Sequence, residues 1–367
     1  MTAGRRWAIV ALGVVLLVAT PFLVRALPAS DSDLSARALR DMVRHSRTVS
    51  YSGYTESAGD VGLPANDALS GLSGLLGGTS RVRVWWQGSS VWRTATLRPT
   101  GETDLVHSPG HTVRWVYESK NATMYPDVGV RLPTSVDLLP PELARRVLAG
   151  AHRSELRRIP ARRVAGRDAL GLRLTPSDPQ AAIGRVDLWA DRATGVPLRV
   201  EVTARGASRP AMVSRFLDFT VGRPARSALA FRPPMDSHLH FDTVVDLASA
   251  VDRFASRVPP ESLAGLSARR AGGTPGSVGV YGRGPTVLLA IPLWERTGDR
   301  VRHDLTGQPG VRATRRGLVV DAAPLHLLLG RPEHNGTSWL LAGTVTQQAL
   351  ARAARQLAAA PPALRMR

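Results

Sequence analysis

The chain contains 367 residues and no cysteine, and its 48 lysine and arginine residues outnumber 29 acidic ones, giving a formal net charge of +19. The absence of cysteine excludes disulfides, thiol catalysis and a bacterial lipoprotein anchor, and a hydrophobic content of 43% is too high for a disordered chain. The positive charge favours anionic lipid headgroups, acidic polymers or an acidic protein as partners.

The first thirty residues predict a membrane segment. Arg5 and Arg6 precede an uncharged apolar run at residues 7–24, and Arg25 follows it. A helix of this length spans about 27 Å, close to the thickness of the hydrocarbon core of a bilayer. Because cationic residues stay on the cytoplasmic side, we expect a single-pass membrane protein with a cytoplasmic N-terminus and an extracytoplasmic bulk, where nucleic acid is a poor partner. The alternative is a cleaved signal peptide, which would give a secreted protein.

Residues 31–235 predict a first domain built on an antiparallel meander. An amphipathic helix at residues 34–48 precedes short segments in which apolar and polar residues alternate, the pattern of half-buried strands. A helix at residues 140–149 interrupts them. The predicted strands are residues 49–56, 80–86, 90–97, 103–107, 112–118, 122–125, 170–175, 184–190, 197–205 and 211–221.

Residues 236–360 predict a second, smaller α+β domain. Helices are predicted at residues 243–255 and 346–358, and residues 361–367 are predicted to be a disordered tail. The predicted strands of this domain are residues 277–281, 286–293, 317–321, 325–329 and 338–345. The fold class is therefore α+β with two domains.

Besides the predicted order of elements, residues 34–235 contain several short motifs: YSG at 51–53, RVRVWW at 81–86, WR at 92–93, GETDL at 101–105, VAGR at 164–167, GRVDLW at 184–189 and DRATGVPL at 191–198. In this order of elements and these motifs, the segment resembles the actinobacterial LolA-like proteins, including the RseB/MucB-type sigma-factor regulatory domains.

This resemblance implies an open, strongly curved antiparallel sheet with helices on its concave side and an apolar groove for acyl chains or lipopeptides. Members of the family either carry lipoproteins or sense envelope stress by contacting an anti-sigma factor. A membrane anchor is incompatible with a diffusing carrier, so the resemblance implies a tethered sensor or a lipid-handling accessory. With its predicted second domain, the chain resembles the two-domain layout of the RseB group.

The segment at residues 61–78 is a candidate lid over such a groove. Its leucines recur at helical spacing, while the intervening glycines weaken the helix by about 1 kcal/mol each. The alternative is a short helix that fills one end of the sheet. The leucines are Leu69, Leu72, Leu75 and Leu76.

Aromatic residues concentrate in one half of the predicted sheet, where they form either a ligand wall or an ordinary core. The predicted contacts to an apolar ligand are Val84, Trp86, Trp92, Trp115 and Tyr117. Strand alternation predicts that Trp86 and Trp115 share one apolar face. Four arginines are candidates for binding an anionic headgroup, namely Arg81, Arg83, Arg93 and Arg114.

We expect no enzymatic activity, cofactor or metal. The serines of the sequence SGLSG at 70–74 lack the strand and helix of a nucleophile elbow. His238 and His240 alternate like metal ligands on a strand, but no partner cluster accompanies them.

The leading prediction is a membrane-anchored protein that binds a lipid or lipoprotein or senses the envelope, with a lipidated protein, an anti-sigma factor or another membrane protein as partner. The alternatives are a protein-interaction module without a small ligand and a metal-dependent hydrolase.

Overall fold

The computed structural model describes residues 29–64, 70–127, 133–241, 259–269, 278–333 and 336–359, together with Gly4 and Trp7. Most of the predicted membrane segment, the helix predicted at residues 243–255 and the tail at residues 361–367 lie outside the described residues. No helix in the described part of the chain is both long and apolar enough to cross a membrane.

The larger of two main sheets has twelve strands and is open. The strands are β1 (Tyr51–Gly59), β2 (Thr79–Gly88), β3 (Val91–Arg98), β4 (Gly101–Ser108), β5 (His111–Val116), β6 (Asn121–Pro126), β7 (Leu156–Val164), β8 (Arg167–Leu174), β9 (Ile183–Asp191), β10 (Pro197–Ala204), β11 (Met212–Val221) and β12 (His238–Phe241). Their order is β12-β6-β5-β4-β3-β2-β1-β11-β10-β9-β8-β7, which leaves β12 and β7 as edges. All neighbours are antiparallel except β12 and β6, which are parallel.

Strand alternation explains which residues of this sheet are buried. In β2, Val82 and Val84 are buried while Arg81 and Arg83 are exposed, as the sequence predicts. The predicted turn at residues 191–195 is also confirmed, because the Gly195 N–H donates to the carbonyl oxygen of Asp191 over 2.8 Å. Gly195 has φ +73°, and a Cβ there would lie 2.7 Å from atoms of Met42, so the turn requires glycine.

In the described part of the chain, four α-helices accompany the first sheet, namely α1 (Ala36–His45), α2 (Ser70–Leu76), α3 (Pro140–Leu148) and α4 (Arg226–Leu229). The hydroxyl of Ser35 caps α1 by accepting the Ala38 N–H over 3.1 Å. Leu39 and Val43 of α1 and Ala144 of α3 pack in one core with apolar residues of β8 to β11. The helix side of this half of the sheet is therefore filled by the protein's own side chains.

The second main sheet contains six antiparallel strands in the order β15-β16-β20-β19-β18-β17. The strands are β15 (Gly279–Arg283), β16 (Thr286–Leu293), β17 (Val311–Thr314), β18 (Gly317–Ala322), β19 (Leu325–Gly330) and β20 (Ser338–Gly343), and a separate ribbon comprises β13 (Ser262–Leu263) and β14 (Leu266–Ser267). Helices α5 (Glu295–Leu305) and α6 (Gln347–Ala359) accompany them. The sequence predicts α6 but not α5, because α5 buries only Gly298 and Leu305 and has no apolar stripe.

The two sheets are joined by direct contacts. Ala181 and Val345 form an antiparallel bridge between the β8–β9 loop and the residues before α6. In addition, both terminal guanidinium nitrogens of Arg283, Nη1 and Nη2, donate to the Glu155 carboxylate over 2.7 Å. Strand β12, which falls in the predicted second domain, belongs to the first sheet through its pairing with β6.

Candidate ligand-binding site

Three aromatic rings and one imidazole form a ladder across β1 to β4. Tyr51 lies opposite Trp86, Trp86 opposite Trp92 and Trp92 opposite His107 in the strand register, and opposed residues share one face of a sheet. The ring centroids of Trp86 and Trp92 are 6.0 Å apart, and those of Trp92 and His107 are 5.0 Å apart, with interplanar angles of 8° and 16°. We call Tyr51, Trp86, Trp92 and His107 the aromatic ladder.

A cleft of about 250 Å³ separates the aromatic ladder from α3 and the segment that precedes it. The wall formed by the sheet consists of Trp86, Trp92, Leu105, His107, Thr112 and Tyr125. The opposite wall includes Thr134, Val136, Asp137, Glu142, Arg145 and Arg146. Arg47, Ser89 and Asp127 complete the lining. Sites for small molecules measure about 300–1,000 Å³. This cleft therefore matches one short apolar group and not several long acyl chains.

Among the described residues that line the cleft, three arginines balance three carboxylates. Arg145 lies 5.6 Å from the Trp86 ring centroid and pairs with Glu142, and burial lowers the pKa of its guanidinium. Arg146 pairs with Asp137. Arg47 is exposed and makes no ion pair among the described residues. A cleft whose lining charges balance is better suited to an apolar group attached to a neutral or dipolar molecule than to a ligand with a strongly anionic headgroup.

The prediction that Trp86 and Trp115 share a face is wrong. Trp115 in β5 lies opposite Asp104 in β4, and Asp104 lies opposite Ala95 in β3. The residues of the aromatic ladder occupy the alternate positions of these strands, whose side chains point to the other face of the sheet. The alternation of side chains within one strand shows which residues of that strand share a face. The register of each hairpin decides which of those two faces continues into the neighbouring strand. Trp115 is therefore buried on the opposite face of the sheet.

The remaining predicted ligand contacts are divided between core and surface. Val84 is buried in the core that includes the ladder without lining the cleft, and Tyr117 is 45% exposed on the face of Trp115. In α2, Leu75 and Leu76 pack on the core of the first sheet, and Leu72 and Leu76 pack on that of the second. These leucines do not line the cleft, and Leu69 lies outside the described residues.

None of the four predicted headgroup arginines lines the cleft. Arg81 pairs with Glu56 over 3.1 Å, and Arg93 donates through Nε and Nη2 to Asp104 over 3.0 and 2.5 Å. Arg83 and Arg114 are exposed on β2 and β5. The arginines that do reach the cleft follow α1 or end α3, where the sequence pattern indicates only a solvated helix face.

The two histidines considered as metal ligands lie on the edge strand β12. The side chains of His238 and His240 are exposed. Among the described residues, no group of three or more histidine and carboxylate side chains could hold a metal ion.

No protein-family model matches the chain, and no curated protein matches it. Among solved structures, MucB in complex with MucA(peri) is 19% identical and aligns over 87% of this chain and 97% of that chain, with a TM-score of 0.50. The Pseudomonas aeruginosa MucA/MucB complex gives 18% identity over 86% and 96% of the two chains, with a TM-score of 0.50. The chain has the MucB fold.

The MucB fold confirms the resemblance to the RseB/MucB type at the level of the fold. The similarity to MucB also extends beyond residues 34–235, because the alignment covers 87% of this chain. At a lower level, the LolA superfamily protein NE2245 from Nitrosomonas europaea is 13% identical over 54% of this chain and 98% of its own, with a TM-score of 0.26.

Proposed function

We propose that the chain is an extracytoplasmic, membrane-tethered regulatory module that binds an apolar or acylated segment of a membrane-associated partner. An anti-sigma factor is the partner class that the resemblance implies. The MucB fold supports this proposal, because MucB has been solved in complex with MucA(peri). The apolar run at residues 7–24 supports the tether.

The cleft at the aromatic ladder is the observation that carries the proposal. Its sheet wall is mainly aromatic, and the charges of its described lining residues balance. Each buried methylene contributes about 0.8 kcal/mol, so eight to ten methylenes would contribute about 6–8 kcal/mol before the entropic costs of association. Since association costs about 4–15 kcal/mol, that gain supports weak binding of a single short chain or a few apolar side chains when the cost is at the low end.

The β2–β3 turn offers a test with a matched control. Ser89 lines the cleft, whereas its neighbour Ser90 is also exposed but does not line it. Because an indole at position 89 would occupy the cleft, we expect Ser89→Trp to weaken binding at least tenfold, about 1.4 kcal/mol, and Ser90→Trp to leave binding unchanged. The measurement is fluorescence anisotropy of a labelled dodecanoyl peptide added to the full chain in nanodiscs.

The second candidate function is protein interaction without a small ligand, and the filled core under α1 and α3 favours it. If the dodecanoyl peptide fails to bind while the chain still retains a membrane protein partner in pull-downs, the cleft is not a ligand site and this second function replaces the first.

A further inference from the structure

A second cleft, of about 320 Å³, lies in the six-stranded sheet and is unrelated to the aromatic ladder. Four arginines surround it from three separate places in the chain. Arg315 and Arg316 form the β17–β18 turn, Arg331 follows β19 and Arg355 lies on α6. We call these four residues the arginine cluster. Its base includes the buried side chains of Leu328 and Trp339.

The backbone fixes three members of the arginine cluster beside one another. The Arg331 N–H donates to the carbonyl oxygen of Arg316 over 3.1 Å, and the Arg316 N–H donates to Thr314 Oγ1 over 3.2 Å. Gly317 ends the turn with φ +139°, and a Cβ there would lie 1.9 Å from the carbonyl oxygen of Leu329. The turn is therefore held tightly against β19.

Arg355 reaches the cleft from the opposite wall. Its helix α6 is anchored on the sheet by buried residues that include Leu350, Ala353 and Leu357. Since Ala353 and Leu357 flank Arg355 in sequence and face the core, α6 holds the position of Arg355 relative to the sheet.

Within the described residues, the four arginines of the cluster carry positive charge that no ion pair neutralises. All four side chains are exposed, and none forms an ion pair within the described part of the chain. In the first sheet, by contrast, Arg167 and Arg173 are each paired with a buried aspartate. Among the described residues that line its cleft, the one carboxylate is that of Glu333, which accepts the Trp339 indole N–H over 3.2 Å.

We propose that the arginine cluster binds a phosphate-bearing ligand, with guanidinium groups on the phosphate oxygens and the base of Leu328 and Trp339 against an adjoining apolar part. Guanidinium groups bind phosphate in bidentate geometry, and several converging guanidiniums match an anion with several charged oxygens at one point. An acidic peptide spreads its charges along its length and fits this compact cleft less well. The phosphate comes either from a small soluble ligand or from a lipid.

The test compares Arg355→Gln with Arg352→Gln in the full chain in nanodiscs. Arg352 lies on the same helix and is exposed, but it does not line the cleft. Isothermal titration with inorganic pyrophosphate measures the soluble source, and cosedimentation with phosphatidic acid vesicles measures the lipid source. We expect Arg355→Gln to weaken binding about tenfold, because it removes one charge-assisted hydrogen bond to the phosphate, and Arg352→Gln to change it less than twofold.

If pyrophosphate binds and Arg355→Gln but not Arg352→Gln weakens that binding, the ligand is a soluble phosphate compound. If only the vesicles bind, with the same difference between the two variants, the ligand is a lipid. The proposal is overturned if neither probe binds, if both variants lose binding equally, or if a hexaglutamate peptide binds as tightly as pyrophosphate. Arg315→Gln provides an independent check from the other wall of the cleft. Because the residues tested are distant in sequence from the aromatic ladder, either proposal can fail without the other.

Discussion

Glu155→Ala is expected to lower the free energy of unfolding by about 3 kcal/mol and to let the two sheets unfold separately. The Glu155 carboxylate is buried and accepts two hydrogen bonds from Arg283, which belongs to the second sheet. It also accepts the backbone N–H groups of Ser177 and His152, both over 2.8 Å. Removal of one partner from a buried pair costs about 3–5 kcal/mol, and the 32% exposure of the Arg283 side chain favours the lower end.

Urea denaturation followed by tryptophan fluorescence and by circular dichroism measures this effect. Glu56→Ala is the control, because Glu56 pairs with two half-exposed arginines, Arg81 and Arg215, within one sheet. Such pairs contribute about 1 kcal/mol or less. An equal loss in both variants would show that Glu155 does not couple the sheets.

The same carboxylate gives a pH dependence with a definite sign. Burial raises the pKa of Glu155, but the hydrogen bonds from Arg283, Ser177 and His152 outweigh burial and hold that pKa well below its ordinary value. The stabilisation is therefore complete above the pKa of the unfolded carboxyl, about 4.3, and is lost as the pH falls towards the folded-state pKa. We expect the difference in stability between wild type and Glu155→Ala to shrink from pH 6 to pH 3, measured by urea denaturation.

The sequence predicts elements of this fold well where one strand or helix carries its own pattern. The alternation in β2, the turn at residues 191–195 and the helix at the C-terminus all depend on residues close together in the chain. Helix α1 is also predicted, because Leu39 and Val43 form its apolar stripe and Ser35 supplies the cap. Local physical chemistry determines each of these features.

The candidate site depends instead on relations between distant segments. The register of the hairpins places Trp115 and Trp86 on opposite faces of the same sheet. The residue pattern of a single strand does not contain that register. Arg145 becomes a cleft residue only because α3 packs across the sheet. The Glu155–Arg283 pair spans 128 residues of sequence, so neither residue is recognisable as a contact from its neighbours.

Trp92→Ala is expected to lower the free energy of unfolding by about 3–5 kcal/mol, because it removes a buried indole from the centre of the aromatic ladder. Trp92 stacks on both Trp86 and His107, so both rings lose a partner. The cleft would also lose part of its sheet wall, and we expect binding of the dodecanoyl peptide to fall at least tenfold.

Trp85→Ala is the control that separates the cleft from general loss of aromatic packing. Trp85 adjoins Trp86 in β2 but points to the other face, where the Arg93 guanidinium lies 5.4 Å from its ring centroid. The cation–π contact contributes about 0.5–1 kcal/mol at an exposed site, so this variant should be only mildly destabilised and should bind the peptide normally. Thermal denaturation and anisotropy on both variants measure the two effects. Equal loss of binding in both variants would show that the loss comes from weaker aromatic packing in general and not from contact of the peptide with the ladder face, because of the two mutated residues only Trp92 lies on that face.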